Sequence, residues 1–288
     1  MEVAIVKAFT HENTGGNGAG VVLLNEQISD DRKQEIAGKV GLSETAFIFK
    51  QDENDYNVSF FTPVCEVDLC GHATIAAFYY LGKTGEIKGC NETRTVYQNT
   101  KAGRLKIEVT FKDHDVEYVL MQQSRPQIYG ELKDKKQIAS SLNIDERFIG
   151  LADCDIGPTI VSTGLKDIMV PVRSRNVLNN LEPDFRMIED ISYENDVVGY
   201  HVFTIENGKV YARNFAPKVG INEECATGTS NGALGSLLIS KGFSNQIEVI
   251  QGEAMNQKSL IYVKVDRHDG LMDVYVGGKA NIEDNIKL

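Results

Sequence analysis

Phe61-Thr62-Pro63-Val64-Cys65-Glu66-Val67-Asp68-Leu69-Cys70-Gly71-His72-Ala73-Thr74 and Phe215-Ala216-Pro217-Lys218-Val219-Gly220-Ile221-Asn222-Glu223-Glu224-Cys225-Ala226-Thr227-Gly228-Thr229 carry one pattern twice. Each leaves an aromatic strand end, passes a proline and an acidic stretch, and reaches a cysteine. Each then enters small residues that open an apolar helix. The cysteines are 155 positions apart (225 − 70), and the same spacing pairs Thr74 with Thr229. The prolines match at 154 (217 − 63), so the register needs one inserted residue. The repeat implies two similar lobes, each with one apolar helix. Two thiols at helix starts would then place two proton carriers around one substrate carbon.

Outward from these stretches the spacing of apolar residues extends the duplicate. In the first half, strands are expected at Val3–Phe9, Val21–Leu24, Thr45–Lys50, Asn57–Phe61, Thr93–Gln98, Arg104–Phe111 and Val116–Gln123. Asp30–Lys39 reads as a helix capped by Ser29 or Asp30 and stopped at Gly41, and Thr74–Leu81 as the apolar helix. In the second half, helices are expected at Lys133–Leu142, Asp184–Ser192 and Ser230–Ser240. A hairpin is expected across Asn207-Gly208, with strands at 160–161, 167–172, 247–251, 259–265 and 272–277. The expected fold is α+β, with two pseudo-symmetric lobes. Residues 1–115 with about 272–288 form one lobe and 116–271 the other, with an active-site cleft between them.

Composition narrows the function. Thirty basic against 41 acidic residues, a net charge of −11, argue against nucleic acid or an anionic membrane as partner. Five cysteines (Cys65, Cys70, Cys90, Cys154, Cys225) in 288 residues are too sparse for a disulfide framework and imply reduced thiols. The N-terminal MEVAIVKAFT carries Glu2 and Lys7 and resembles no signal peptide, so a cytoplasmic protein is expected.

Several residues are candidates for chemistry. Gly15–Gly20 lacks dinucleotide and phosphate-loop spacing, so it reads as a turn between strands or as a loop that presents Asn17 to a substrate. Cys70-Gly71-His72 hints at metal, but no second ligand pair supports a zinc site, and no metal is expected. Cys70 alone reads as a small buried hydrophobe and His72 as a backbone cap. Their functional reading comes from position. Unpaired amides at the helix starts, near Gly71, Ala73, Gly228 and Thr229, can hold a carboxylate. The same dipole favours a thiolate. A cysteine or histidine beside an anchored carboxylate can take the proton from the adjacent carbon, and the amides stabilise the enolate-like charge. Glu44, at the mouth of an apolar strand, is either a solvated loop carboxylate or a proton carrier tuned by burial. Glu224 is open in the same way, or orients its loop.

These residues carry a resemblance to the phenazine-biosynthesis PhzF-like family, within the wider diaminopimelate-epimerase-like fold. It runs through Gly16-Asn17, Ser43-Glu44-Thr45-Ala46-Phe47, Phe61-Thr62-Pro63, Gly71-His72-Ala73-Thr74 and Ser162-Thr163-Gly164. It continues through Arg213-Asn214-Phe215-Ala216-Pro217, Thr227-Gly228-Thr229 and Gln251-Gly252. The resemblance implies two lobes, each a curved, mostly antiparallel sheet around a central helix. It further implies cofactor-independent proton-shuttling isomerisation of a small amino-acid-like carboxylate, commonly in a homodimer. The family's catalytic glutamate corresponds to Glu44, its histidine to His72, its acidic loop residue to Glu224 and its second-helix serine to Thr229. Four departures stand out, the first three being that Glu224 replaces Asp, Thr229 replaces Ser, and no Gly-Arg-Pro follows Gln251-Gly252. Cys225 stands where phenazine-type members have Pro, and Cys70 with Cys225 is similar to the cysteine pair of amino-acid epimerases and racemases. Four readings follow: a Glu44/His72 isomerase, a Cys70/Cys225 epimerase or racemase, a non-catalytic metabolite-binding protein, and a redox sensor built on the two thiols.

Overall fold

The computed structural model describes every residue except Asn13. It divides into two compact units, Met1–Gln122 with Gly277–Leu288, and Gln123–Val276. The first contains β1 (Glu2–Ala8), β2 (Asn17–Leu24), α1 (Asp30–Val40), β3 (Glu44–Lys50), β4 (Asp55–Phe61), β5 (Glu66–Val67), α2 (Gly71–Lys83), β6 (Thr93–Thr100), β7 (Gly103–Lys112) and β8 (Asp115–Gln122). The second contains β9 (Gln127–Glu131), α3 (Lys135–Ser141), β10 (Thr159–Ser162), β11 (Lys166–Pro171), α4 (Arg175–Asn179), α5 (Phe185–Glu194), β12 (Gly199–Glu206) and β13 (Lys209–Ala216). It continues with β14 (Ile221–Glu224), α6 (Gly228–Ser240), β15 (Gln246–Gln251) and β16 (Ser259–His268). β17 (Leu271–Gly278) crosses the boundary, and β18 (Ala280–Lys287) returns to the first unit.

The pairing pattern makes the duplication explicit. In the first unit β1–β2 is antiparallel, β2–β3 parallel, β3–β4 antiparallel, β4–β6 parallel and β6–β7 antiparallel. In the second, β10–β11, β11–β12, β12–β13, β13–β15 and β15–β16 repeat that order of directions. Short β5 and β14 each add to the end of the strand before them, β4 and β13. The mixed α+β architecture therefore agrees with the reading of the sequence. Each parallel step is a crossover, and in both units the crossover from β4 to β6 and from β13 to β15 carries the apolar helix.

α2 and α6 are buried because their sequences leave no polar stripe to face water. Residues 73–78 of α2 and 230–239 of α6 are all buried. α2 packs on β1, β2, β3, β7, β8 and β18, and α6 on β10, β11, β12 and β16. Neither these nor any other helix among the described residues is long and apolar enough to cross a membrane.

Local chemistry explains the boundaries. The Ser29 hydroxyl accepts the Arg32 amide at 3.3 Å, and Gly41 closes α1 at φ 69°. Ser29→Ala is expected to cost about 1 kcal/mol, read as a lower urea midpoint with an unchanged slope. Asn207 and Gly208 both sit at positive φ, as a tight hairpin turn demands. The glycine run departs from expectation: Asn17 to Gly20 lie inside β2 rather than in a loop. The reason is close approach. A Cβ on Gly20 would stand 2.8 Å from Thr45 Oγ1 on the neighbouring parallel strand.

Candidate active site

In the first unit three segments meet at the start of α2. β2 begins at Asn17, β3 begins at Glu44, and Cys70 is the N-cap of α2 in extended conformation. The helix's first intrahelical bond runs from the Thr74 amide to the Cys70 carbonyl at 3.0 Å. The amides of Gly71, His72 and Ala73 therefore have no partner within the helix. The Thr74 hydroxyl locks this start by sharing its one proton between the Cys70 carbonyl at 2.8 Å and the Gln98 side-chain oxygen at 3.2 Å.

His72 is the hub. Its Nε2 lies 3.0 Å from Glu44 Oε2 and 3.3 Å from Ser43 Oγ; its Nδ1 lies 3.4 Å from Asn17 Nδ2 and 3.5 Å from Cys70 Sγ. The Glu44 contact is a short ion pair with poor hydrogen-bond alignment: Oε2 is buried and no donor points squarely at it. Burial disfavours the imidazolium, but the Cys70 sulfur and then Glu44 outweigh it and hold the His72 pKa well above its ordinary value. Burial likewise pushes Glu44 upward; the His72 hydrogen and charge, with smaller help from Ser43 and Cys70, overcome this and hold it below the usual carboxylate range. At neutral pH the pair is ionised, with the proton on the ring and an unprotonated carboxylate beside it.

The donor atoms of Glu44, Cys70 and His72 lie within 4.8 Å of one another, a set that a soft divalent cation can use. Two features oppose a cation. The helix start presents positive partial charge, and the metal would have to displace the His72 proton. A separate hollow of about 350 Å³ on this unit, bordered by Lys33, Phe49, Asn57, Glu66 and Lys101, includes none of these residues.

The second unit builds a related start for α6. β14 ends at Glu224, Cys225 follows it and is buried, and the N-cap is Thr227. Thr229 is thus the second residue of α6, whereas Thr74 is the fourth of α2. Counted from the caps, Cys70 corresponds to Thr227 and His72 to Thr229. The cysteine spacing and the helix register differ by two residues.

Beneath α6 lies a polar network that reading the sequence missed. The Ser230 hydroxyl donates to Asp167 at 2.6 Å, and Asn214 donates to Ser230 at 3.2 Å and to His201 Nδ1 at 3.2 Å. His201 Nε2 pairs with Asn231 Oδ1 at 3.0 Å. Burial pushes His201 down to about 4, so it is neutral at pH 7, with Nε2 the donor. Burial pushes Asp167 up to about 6 against the pull of Ser230 and the Gly199 amide, with Glu224 adding to the rise. The available signal was a polar residue at an inward position of an apolar strand, as His201 is in Gly199–Glu206. Arg213 was also passed over as a site-building group. It is buried, makes two 2.8 Å bonds to Glu223, and donates to the Leu178 and Leu181 carbonyls at 3.1 Å each.

The structure thus gathers Asn17, Ser43, Glu44, Cys70, Gly71, His72 and Ala73 in one unit. It gathers Glu224, Cys225, Gly228 and Thr229 at the matching place in the other. Cys65, Cys70, Cys90 and Cys154 carry free thiols.

Comparison with known proteins bears on the family and the fold. The model of the family described as phenazine biosynthesis-like protein matches residues 6–285. The chain is 36% identical over 293 residues to an uncharacterized isomerase of Clostridium acetobutylicum, covering 96% of this chain and 93% of that one. A crystal structure of the Bacillus anthracis phenazine biosynthesis protein, PhzF family, superposes with a TM-score of 0.84 at 26% identity over 100% of this chain and 98% of that one. A hydroxyproline epimerase of Agrobacterium vitis shares the fold at a TM-score of 0.62 and 14% identity, covering 99% and 91% of the two chains.

Proposed function

We propose that this chain, which belongs to the phenazine biosynthesis-like protein family and is an isomerase, moves a proton at the carbon next to the carboxylate of a small amino-acid-like substrate without a cofactor. The observation that carries the reading is the Glu44–His72 pair, 3.0 Å apart at the start of α2. Free amides of Gly71, His72 and Ala73 hold the substrate carboxylate. Glu44 Oε2, buried and without an aligned donor, accepts the proton from the adjacent carbon. The amides that hold the carboxylate also take up the charge that develops on it. His72 keeps a proton within reach of the same centre and returns one to the product. Glu224 and Thr229 are assigned to substrate binding from the α6 start, and Asn17 to substrate binding beside His72.

A second reading is favoured by Cys70 Sγ lying 3.5 Å from His72 Nδ1, close enough for a thiol–imidazole pair. In that route Cys70 and Cys225 act as two bases, and the product is the mirror-image substrate. Deuterium wash-in separates the two. Small α-amino acids and their unsaturated analogues are incubated with the protein in D2O, following solvent exchange by NMR and optical rotation together. Exchange with double-bond migration, unchanged in Cys225→Ser, is the expected result. Racemisation lost in either Cys→Ser variant replaces the first route with the second. No exchange for any carboxylate tried, while ligands still bind, overturns both.

A further inference from the structure

Gln251 is fully buried, yet it ends strand β15 and lines no described cavity. Its side chain spends its whole hydrogen-bonding capacity on one segment. Nε2 donates to the Glu224 carbonyl at 2.7 Å and to Thr227 Oγ1 at 2.9 Å. Oε1 accepts the Thr227 amide at 3.3 Å and Asn231 Nδ2 at 2.8 Å. Asn231 in turn donates to the Thr227 carbonyl at 2.6 Å. Gly252 completes the grip by shape. It sits at φ +82°, where a Cβ would stand 2.3 Å from the Gln257 carbonyl oxygen, 2.9 Å from the Cys225 carbonyl oxygen and 3.1 Å from the Cys225 Cβ. The first unit has a simpler counterpart: Gln98 on β6, also fully buried, takes the Thr74 hydroxyl and donates to Met121 Sδ at 3.5 Å.

We infer that Gln251 and Gly252 form a clamp that sets the position of Glu224, Cys225 and the α6 start, making Gln251 a positioning residue for that segment. Four bonds from one amide converge on residues 224–231, and an amide is the side chain that offers two donors and a two-lone-pair acceptor in one plane. A clamp of this kind decides how often the segment opens, because local opening is governed by the few contacts that hold it. Its consequence for catalysis rests on the reading above; the clamp itself does not.

The test therefore reads the thiols rather than turnover. Wild type, Gln251→Met and Gln251→Glu are treated with iodoacetamide, and labelling of Cys225 and Cys70 is followed by site-resolved mass spectrometry. Cys70, in the other unit, is the internal reference. Gln251→Met keeps the shape and removes all four bonds, so the Cys225-to-Cys70 ratio is expected to rise about tenfold or more. Gln251→Glu keeps an acceptor and loses both donors when ionised. Its ratio is expected to be raised at about pH 8.5 and to fall back toward wild type near pH 6, where the buried carboxyl regains a proton. Gln98→Met is expected to leave Cys225 unchanged. Ratios within about twofold of wild type in the folded variants overturn the clamp. If Gln251→Met does not fold, the pH dependence in Gln251→Glu decides. If neither folds, Gln251 is a folding residue only and the proposal falls. Deuterium wash-in does not enter, so the clamp and the isomerase reading fail independently.

Discussion

Glu44→Gln is expected to lower deuterium incorporation into substrate by about 10²–10⁴-fold, the range lost when a positioned general base is removed, while the fold is retained. The amide matches the carboxylate in shape but cannot take up a proton. It also removes one of the two groups that hold the His72 pKa up, the other being Cys70. The pH profile should show this. In wild type, His72 is raised above 6.5, so the protonated ring persists below that value and activity is lost as pH rises through the higher folded value. Glu44 is lowered below 4.5, so activity is lost on the acid side only as pH falls through that lower value. The stability contribution of the pair follows the same signs: the His72 part disappears at high pH and the Glu44 part at low pH. In Glu44→Gln the residual activity should lose its alkaline limb at lower pH than wild type. Near-wild-type exchange in this variant, with loss in Cys70→Ser, would move the proton to the thiols.

The two apolar helices, the Asn-Gly hairpin and most strands were legible because each has a local cause: an unbroken apolar run, a turn dipeptide, a two-residue alternation. The first-unit site was legible in part for the same reason, since Cys70-Gly71-His72 is contiguous and sits at a helix start. Ser43 was quoted only as the neighbour of Glu44, although its hydroxyl faces the ring. What escaped was non-local: Asn214 and Gln251 stand in the sequence only as motif residues, with nothing to show what they bond. Asp167, His201, Asn214 and Gln251 come from four different strands, and their polarity acquires a purpose only when the sheet brings them beneath α6. The short β14 was missed because Ile221–Glu224 is mostly polar and is a strand only through its pairing with β13. The two-residue offset between cysteine spacing and helix register was likewise hidden. It depends on where each backbone turns helical, which small residues such as Gly71 and Ala226 do not dictate.

Arg213→Met should be the most destabilising single change in the second unit that leaves the apolar core intact. Arg213 and Glu223 form a planar two-bond pair at 2.8 Å each, with side-chain exposures of only 8% and 15%. The guanidinium also supplies the Leu178 and Leu181 carbonyls and lies 4.9 Å from the Phe215 ring centre. Removing it strands a largely buried carboxylate and two carbonyls that it had satisfied. Breaking a buried pair from one side costs about 3–5 kcal/mol, which for a unit of this size lowers Tm by on the order of 10 °C. Urea and thermal unfolding would read the loss. Adding Glu223→Leu should recover most of it, because the stranded charge dominates the penalty rather than the lost attraction. The functional consequence separates this pair from an ordinary core contact. Glu223 immediately precedes Glu224 and Cys225, so the double variant, though refolded, should still show faster labelling of Cys225 than of Cys70 relative to wild type. A double variant that regains stability but keeps wild-type Cys225 protection would show that Gln251 holds the segment without help from Arg213.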